Sequence, residues 1–509
     1  MSEHWLIGYC TSFFSPYNCF YCAWAQQPIV LKSMYLRKPE FMMSRLASVC
    51  RIICVTILVI VFCHPLSAGE LNGRWVSVDH LPNCLAWLPD DWRPETKREK
   101  SSTEASTWTG TCSENRVHGQ GIFDFHDVEQ HMRFEGIFAH GKLQGKGMME
   151  GNSSVENTIN NLKYRGEFKN SAMHGQGVLE GDYPVNNEIK HIKYHGLFEN
   201  GLMHGEGQVV IPNISILTGH FEKGIFSGQG SMEIVGFATF KGVFKHWTTL
   251  TQGTILYQNG DHYEGQLQNY IEHGKGTKQF ANGNRHEGHF IKGFLSGIGL
   301  IENSDGTRFE GAFKEGELSG QGTVTNSFGV RYEGEFYKGL LSGIGLIKYP
   351  DGTRFEGQFK EGELSGRGTV TTSFGARYEG QFKNGDIIGI GTKIFPDGFR
   401  YEGEFLNNLF HGKGTLTRPD GTTDYEGEFS KGLRKGRGVL FVKNSPFYKG
   451  QFSNGKMNGH GTAYLPNGDT CEGEWENDAL VGIGKGGING KEFPCIPDEG
   501  SIFVFITNP

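Results

Sequence analysis

No cysteine falls between positions 113 and 470, so the body of this chain is built without disulfides or cysteine-based metal sites. Six of the ten cysteines precede position 64, and the others are Cys84, Cys112, Cys471 and Cys495. Cys19 and Cys22 form a CxxC pair with no second pair, which argues against zinc. Proline is scarce, at 17 in 509 residues, and Gly plus Pro stay below the roughly 25–30% of low-complexity disorder. No Gly-X-Y period runs through the chain, so collagen is excluded. Neither sign of charge dominates. A formal charge of −7 speaks against a nucleic-acid binder with its basic patch, and against an acidic tail. The longest apolar run, residues 52–63, is short of the roughly 20 residues that cross a bilayer comfortably. No Walker lysine motif, HExxH or GxSxG is present.

Glycine and aromatics are in excess instead. Gly numbers 76, about twice its usual share of roughly 7%, and 38 residues are Phe. From Trp108 onward one pattern recurs, with starts at 108, 134, 164, 194, 217, 240, 263, 286, 309, 332, 355, 378, 401, 425, 448 and 471. The spacing is 23 residues without a break from 194 to 401, and the early units are longer. The block 286–331 recurs nearly unchanged as 332–377, a duplication tolerated when each unit touches only its neighbours.

Within a unit the character alternates. Tyr332, Gly334 and Phe336 share one face, and Glu333 and Glu335 the other, which is strand periodicity. Lys338-Gly339 marks a turn, a second strand runs over residues 341–347, and Pro350-Asp351-Gly352 leads into the next unit. Each unit is predicted to be a β-hairpin. Gly stands at the third and fourteenth residues of every unit and at the twelfth in all but one, where Thr251 replaces it. Interior strand glycine marks close approach by another group. A Tyr or Phe ring from a neighbouring strand, lying flat on the bare backbone, is the expected group, and Gly345 is one such position.

YEGEFLNNLFHGKGTLTRPDG (401–421) and YKGQFSNGKMNGHGTAYLPNG (448–468) resemble the MORN repeat, the membrane occupation and recognition nexus. The resemblance covers residues 108 to about 493 and departs most at 240–262, where His246-Trp247 replaces the turn. It implies an all-β fold, an elongated single-layer antiparallel sheet of about sixteen tandem hairpins. It also implies a scaffold or binding module, since enzymes of the family carry their chemistry in a separate domain, for which this chain has no room. No catalytic residue, cofactor or metal is expected.

The candidate chemistry has structural explanations. Gly412-Lys413-Gly414 and its equivalents lie inside predicted strands, whereas a phosphate-binding loop needs a strand, a loop and a helix. His118, His174, His204, His273 and His411, and carboxylates such as Glu402 and Glu404, belong to a solvated polar face. The sequons at Asn152 and Asn213 occur no more often than chance.

A one-layer sheet has no second layer to cover its aromatic face, so twisting is expected to curl that face into a groove. Tyr332, Phe336, Phe355, Phe359, Tyr378, Phe382, Tyr401 and Phe405 would line it, partly exposed, and bind a protein partner such as an amphipathic helix. Phospholipid binding ranks second. The block 332–377 balances six basic against six acidic residues and offers an anionic membrane little net attraction.

Residues 52–63 (IICVTILVIVFC), preceded by Arg45 and Arg51 and followed by HPLSAG, have the makeup of a secretory signal peptide. A start at Met43 would give it ordinary length, making residues 1–42 an upstream extension. A signal anchor or a short buried segment is the other reading. The expected organisation is a disordered extension at 1–45, the signal-like segment at 46–68, a linker at 69–107, the array at 108–493 and a tail at 494–509. Localisation is the secretory pathway or a membrane if the segment acts as signal or anchor, and the cytoplasm otherwise. Cys471 and Cys495, about one repeat apart, would staple the end of the array in a secreted chain.

Overall fold

Alternating residues and two-residue turns dictate hairpins, and hairpins are what a computed structural model contains. It describes residues 73–506 apart from 82, 90–103, 128–129, 154–159, 186–187, 247–248, 489 and 499–502. The signal-like segment and the extension before it lie outside the described residues. Among those described are 37 strands and no helix. The chain divides into two compact units. Of the described residues, one holds those from Gly73 to Ser304 with Lys314–Gly316, and the other holds Asp305–Phe313 and those from Glu317 onward.

In the second unit, strand Arg331–Tyr337 pairs with Leu340–Lys348 of its own repeat, which pairs in turn with Arg354–Lys360 of the next. The tight turn is left-handed at both central residues, with φ of 49° at Lys338 and 77° at Gly339. That is a type I′ turn, whose twist matches the twist of the strands it joins. The return turn is closed by Tyr349 N–H donating to the Thr353 carbonyl at 2.8 Å and Thr353 N–H donating to the Asp351 carboxylate at 2.8 Å.

The hairpins from the 332 repeat to the 471 repeat each carry a bulge. The register slips between Gly403 and Glu404, and Gly412 opposite has φ of 55°, a conformation that side chains rarely adopt. The bulge leaves the N–H of the next residue outside the ladder. Glu404 Oε1 accepts it from Lys413 at 3.1 Å, and Gln451 Oε1 likewise accepts from His460 at 3.1 Å. The twelfth-residue glycine therefore serves the bulge and not a ring. The Glu or Gln at the fourth residue does more than face solvent, because it satisfies a backbone donor.

The third- and fourteenth-residue glycines pair across strands as a continuous stripe: Gly391 with Gly403, Gly403 with Gly414, Gly414 with Gly427, and onward to Gly461 with Gly473. A Cβ on Gly414 would sit 2.4 Å from the Tyr401 hydroxyl and 2.5 Å from its ring, and a Cβ on Gly403 would be 2.5 Å from the same hydroxyl. The ring comes from the first residue of the same hairpin and covers its own strand as well as the partner strand. In the duplicated block a leucine takes the ring's place. Above Gly345 lies Leu341, at 2.9 Å, so the ring expected there is absent.

The first unit follows the same plan with longer early hairpins, such as Ala172–Val185 paired with Glu188–Glu199. Its stripe runs through Gly265, Gly276 and Gly288 to Gly299. Residues expected as a linker hold three strands, Gly73–Ser77, Leu85–Pro89 and Ala105–Trp108. Tryptophans fix them to the array: a Cβ on Gly141 would meet Trp75 at 2.4 Å, and one on Gly121 would meet Trp108 at 2.4 Å. A disulfide joins Cys84 to Cys112 in this cap, and a second joins Cys471 to Cys495 at the other end, as the spacing suggested. The expected tail likewise holds strand Val504–Phe505 and the last half of Lys491–Ile496.

One hairpin of the first unit buries charge. Glu272 and Lys278 occupy positions that are Leu341 and Ile347 in the 332 repeat, and their side chains are only 6% and 5% exposed. Lys278 Nζ and the Tyr257 hydroxyl both donate to Glu272 Oε1 at 2.7 Å. Lys278 also stands 5.0 Å from the Tyr257 ring centre. His286, packed 4.6 Å from Phe280, is held down to a pKa of about 4, first by burial and then by the Lys278 charge.

Candidate functional site

The eight aromatics expected to line an open groove lie inside the protein. Tyr332, Phe336, Phe359, Tyr378, Phe382, Tyr401 and Phe405 are buried, with Tyr332 the most accessible of the seven at 6%, and Phe355 is half-buried. From Tyr378 onward the rings cover one another. Tyr401 meets Phe405 of its own hairpin and Phe429 of the next edge-on, both at 5.1 Å between ring centres. Tyr425 repeats this with Phe429 and Phe452, and Tyr448 with Phe452 and Trp475. The Tyr401 hydroxyl donates to the Glu404 carbonyl at 2.9 Å, and burial pushes its pKa well above the usual phenol range. The correction follows from the glycine stripe. Without a Cβ beneath them, the Tyr378 and Tyr401 rings lie flat against the sheet and reach the next hairpin, and in the duplicated block leucines such as Leu341 take that place, leaving no open aromatic channel.

The opposite face carries an accessible groove. Because a Cβ on the stripe would point toward the tyrosines, the outer side of each paired glycine is bare backbone. Side chains one residue to either side, about 6.8 Å apart along a strand, stand as two walls above it. Between strands Arg400–Leu406 and Lys456–Tyr464 this makes an open groove across the sheet, floored by Gly414, Gly427, Gly438, Gly450 and Gly461. One wall carries Glu402, Thr415, Glu426, Val439, Lys449 and Thr462. The other carries Lys413, Glu428, Arg437, Gln451 and His460.

Charge along this face is not uniform. In the repeats before the groove each arginine that opens a strand is tied to the glutamate two residues on: Arg354 to Glu356 at 3.2 Å, Arg377 to Glu379 at 2.9 Å, and Arg400 to Glu402. After Glu402 the ladder stops. Arg434 turns inward and shares Asp424 with Arg418, at 2.8 and 2.6 Å. Lys413, Lys431, Lys435, Arg437, Lys443 and Lys449 are exposed and make no ion pair among the described residues. The groove was missed in the sequence because its floor has no side chains. The signal that could have found it is the run 431–449, with six basic and no acidic residues.

Comparison with known families is consistent with this geometry. The MORN repeat model matches thirteen segments between 134 and 485, among them 332–354, 401–423 and 448–470. The repeats at 108, 217 and 240 are not matched, although strands Arg116–His126, Ser215–Glu222 and Ala238–Lys245 form antiparallel pairs like the others. A search of curated proteins found no relative. The matched segments span more than half of the sequence and coincide with its hairpins, so the chain belongs to the MORN-repeat family.

Proposed function

We propose that this chain is a non-catalytic scaffold that holds a partner protein in the outer groove, while the buried aromatic row keeps the groove floor flat. The observation that carries the reading is the glycine-floored channel whose walls present Lys413, Arg437 and Lys449, charged side chains with no ion pair among the described residues. Repeats of this family are generally non-catalytic scaffolds. Bare backbone with flanking side chains suits an extended peptide segment better than a helix, whose width of about 10 Å exceeds the wall spacing. The test fills the groove without changing its charge. Thr415→Trp combined with Thr462→Trp should abolish crosslinking to the native partner while strand content stays unchanged by circular dichroism. Undiminished crosslinking by the folded variant would end the proposal.

The same reading extends to location. Two disulfides suit a chain matured in an oxidising compartment, in keeping with a signal peptide ending near Ala68. A mature chain starting there retains only Cys84, Cys112, Cys471 and Cys495. Denatured without reduction, the isolated protein should take up no thiol reagent. Labelling at the upstream cysteines would overturn the assignment.

A further inference from the structure

The groove has a section with no acid on either wall, and we infer that this section receives a short, extended acidic segment of the partner. The inference rests on the scaffold reading and specifies the chemistry of its ligand. Strand Leu433–Val442 contributes Arg437 and Val439, strand Ser445–Ser453 contributes Lys449 and Gln451, and strand Lys456–Tyr464 contributes His460 and Thr462. Arg437 faces Gln451 and Val439 faces Lys449 across the ladder. Arg437 and Lys449 are therefore diagonal neighbours, about 7–8 Å apart on opposite walls.

An extended chain places alternate side chains about 6.8 Å apart, so two carboxylates could meet these two cations from one backbone. Arg437 can take a carboxylate bidentately, and Lys449 offers a second point charge. Neither has an ion-pair partner among the described residues, unlike the laddered arginines at 354, 377 and 400.

The ends of the window limit what fits. Glu426 and Glu428 close it on one side, on strand Thr423–Ser430. Glu472 and Glu474 close it on the other, on strand Thr470–Glu476, with Glu472 3.6 Å from His460. Three strands at about 4.8 Å spacing leave roughly 10 Å, room for about three extended residues. A longer polyanion would meet glutamate at both ends. The matching pattern is an acidic centre with neutral or basic flanks. A flat anionic membrane fits less well, because the stripe is recessed between walls and the bordering carboxylates would face the headgroups.

The experiment uses the full chain and a labelled peptide with an Asp-Glu-Asp centre flanked by Gly, Ser and Lys, followed by fluorescence anisotropy. Saturable binding should be about tenfold or more tighter than that of the Asn-Gln-Asn counterpart, and should weaken as salt is added. Arg437→Glu with Lys449→Glu should remove the preference. Lys360→Glu with Lys383→Glu, an equal charge change at exposed residues outside the groove, should leave it intact. Equal binding of the two peptides, or equal loss in both double variants, overturns the inference. So does binding to phosphatidylserine vesicles that is lost in the groove variant while the acidic peptide is ignored. If the peptide shows no preference but the Thr415→Trp, Thr462→Trp protein still releases its partner, the scaffold reading stands and the acidic ligand falls.

Discussion

At the scale of single residues, the glycines do two different jobs that share one composition. Gly414 lies beneath the Tyr401 ring, whereas Gly412 adopts a left-handed φ so that Glu404 can reach the Lys413 amide. Gly414→Ala would place a methyl group where the ring now rests, and such overpacking costs about 1–3 kcal/mol. Gly345→Ala should cost less, since Leu341 presents the free end of a flexible side chain. Tyr401→Phe keeps the ring and removes the hydroxyl that donates to the Glu404 carbonyl at 2.9 Å and reaches the His411 carbonyl at 3.4 Å, a loss of about 1 kcal/mol. Urea unfolding should find Gly414→Ala the less stable of the two glycine variants. A Gly345→Ala protein less stable than Gly414→Ala would contradict the assignment of ring and leucine cover. The spacing of the glycines was legible in the sequence. Which glycine met a ring was not, because the third, twelfth and fourteenth residues look alike until the bulge separates them.

At the scale of the hairpin, the repeat tolerates unlike residues at equivalent positions when a covering ring frees the space. Tyr263 covers Gly276, so the leucine position beside it can hold Glu272, with Lys278 in place of the isoleucine. Removing one partner would leave the other charge buried alone: Lys278→Ile should destabilise by about 3–5 kcal/mol, whereas Glu272→Leu with Lys278→Ile should be neutral or stabilising. Denaturant midpoints of the single and double variants decide this, and a double variant as unstable as the single would refute it. His286 adds a pH dependence. Its folded-state pKa of about 4 lies below the unfolded value of about 6.5, so the unfolded chain binds more protons between them. Its contribution to stability is present above about pH 6.5 and is lost as pH falls toward 4. His286→Phe, the residue at the equivalent position 309, should flatten that part of the stability profile; an unchanged slope would show that other groups set it. Strand boundaries and turns in the body could be read from alternation and Gly-containing turns. The terminal strands escaped because residues 73–89 and 491–505 do not repeat. Alternation identified the apolar face, but not that its side chains would close over one another and leave those aromatics buried.

For the molecule as a whole, a repeat array has a specific weakness at its ends. Interior hairpins are held by a neighbour on each side, so stability is approximately a sum of nearest-neighbour terms, and a terminal hairpin lacks one of them. Both disulfides lie where that support is missing, one in the cap before the first repeats and one joining the last repeat to strand Lys491–Ile496. Cys471 replaces the aromatic of its repeat. A Cβ on Gly484 would meet both sulfurs at 3.0 Å, so the disulfide covers the glycine that a tyrosine covers elsewhere. Cys471 and Cys495 are 24 residues apart, and closing a loop of that size contributes about 3 kcal/mol in the chain-entropy view. Cys471→Ser with Cys495→Ser should therefore act locally. Amide exchange should quicken in strands Thr470–Glu476, Ala479–Ile488 and Lys491–Ile496, while strands Arg354–Lys360 through Arg377–Lys383 keep their protection. Faster exchange spread evenly over all these strands would mean that the second unit unfolds as one cooperative block. The disulfide would then stabilise the whole unit rather than its exposed end.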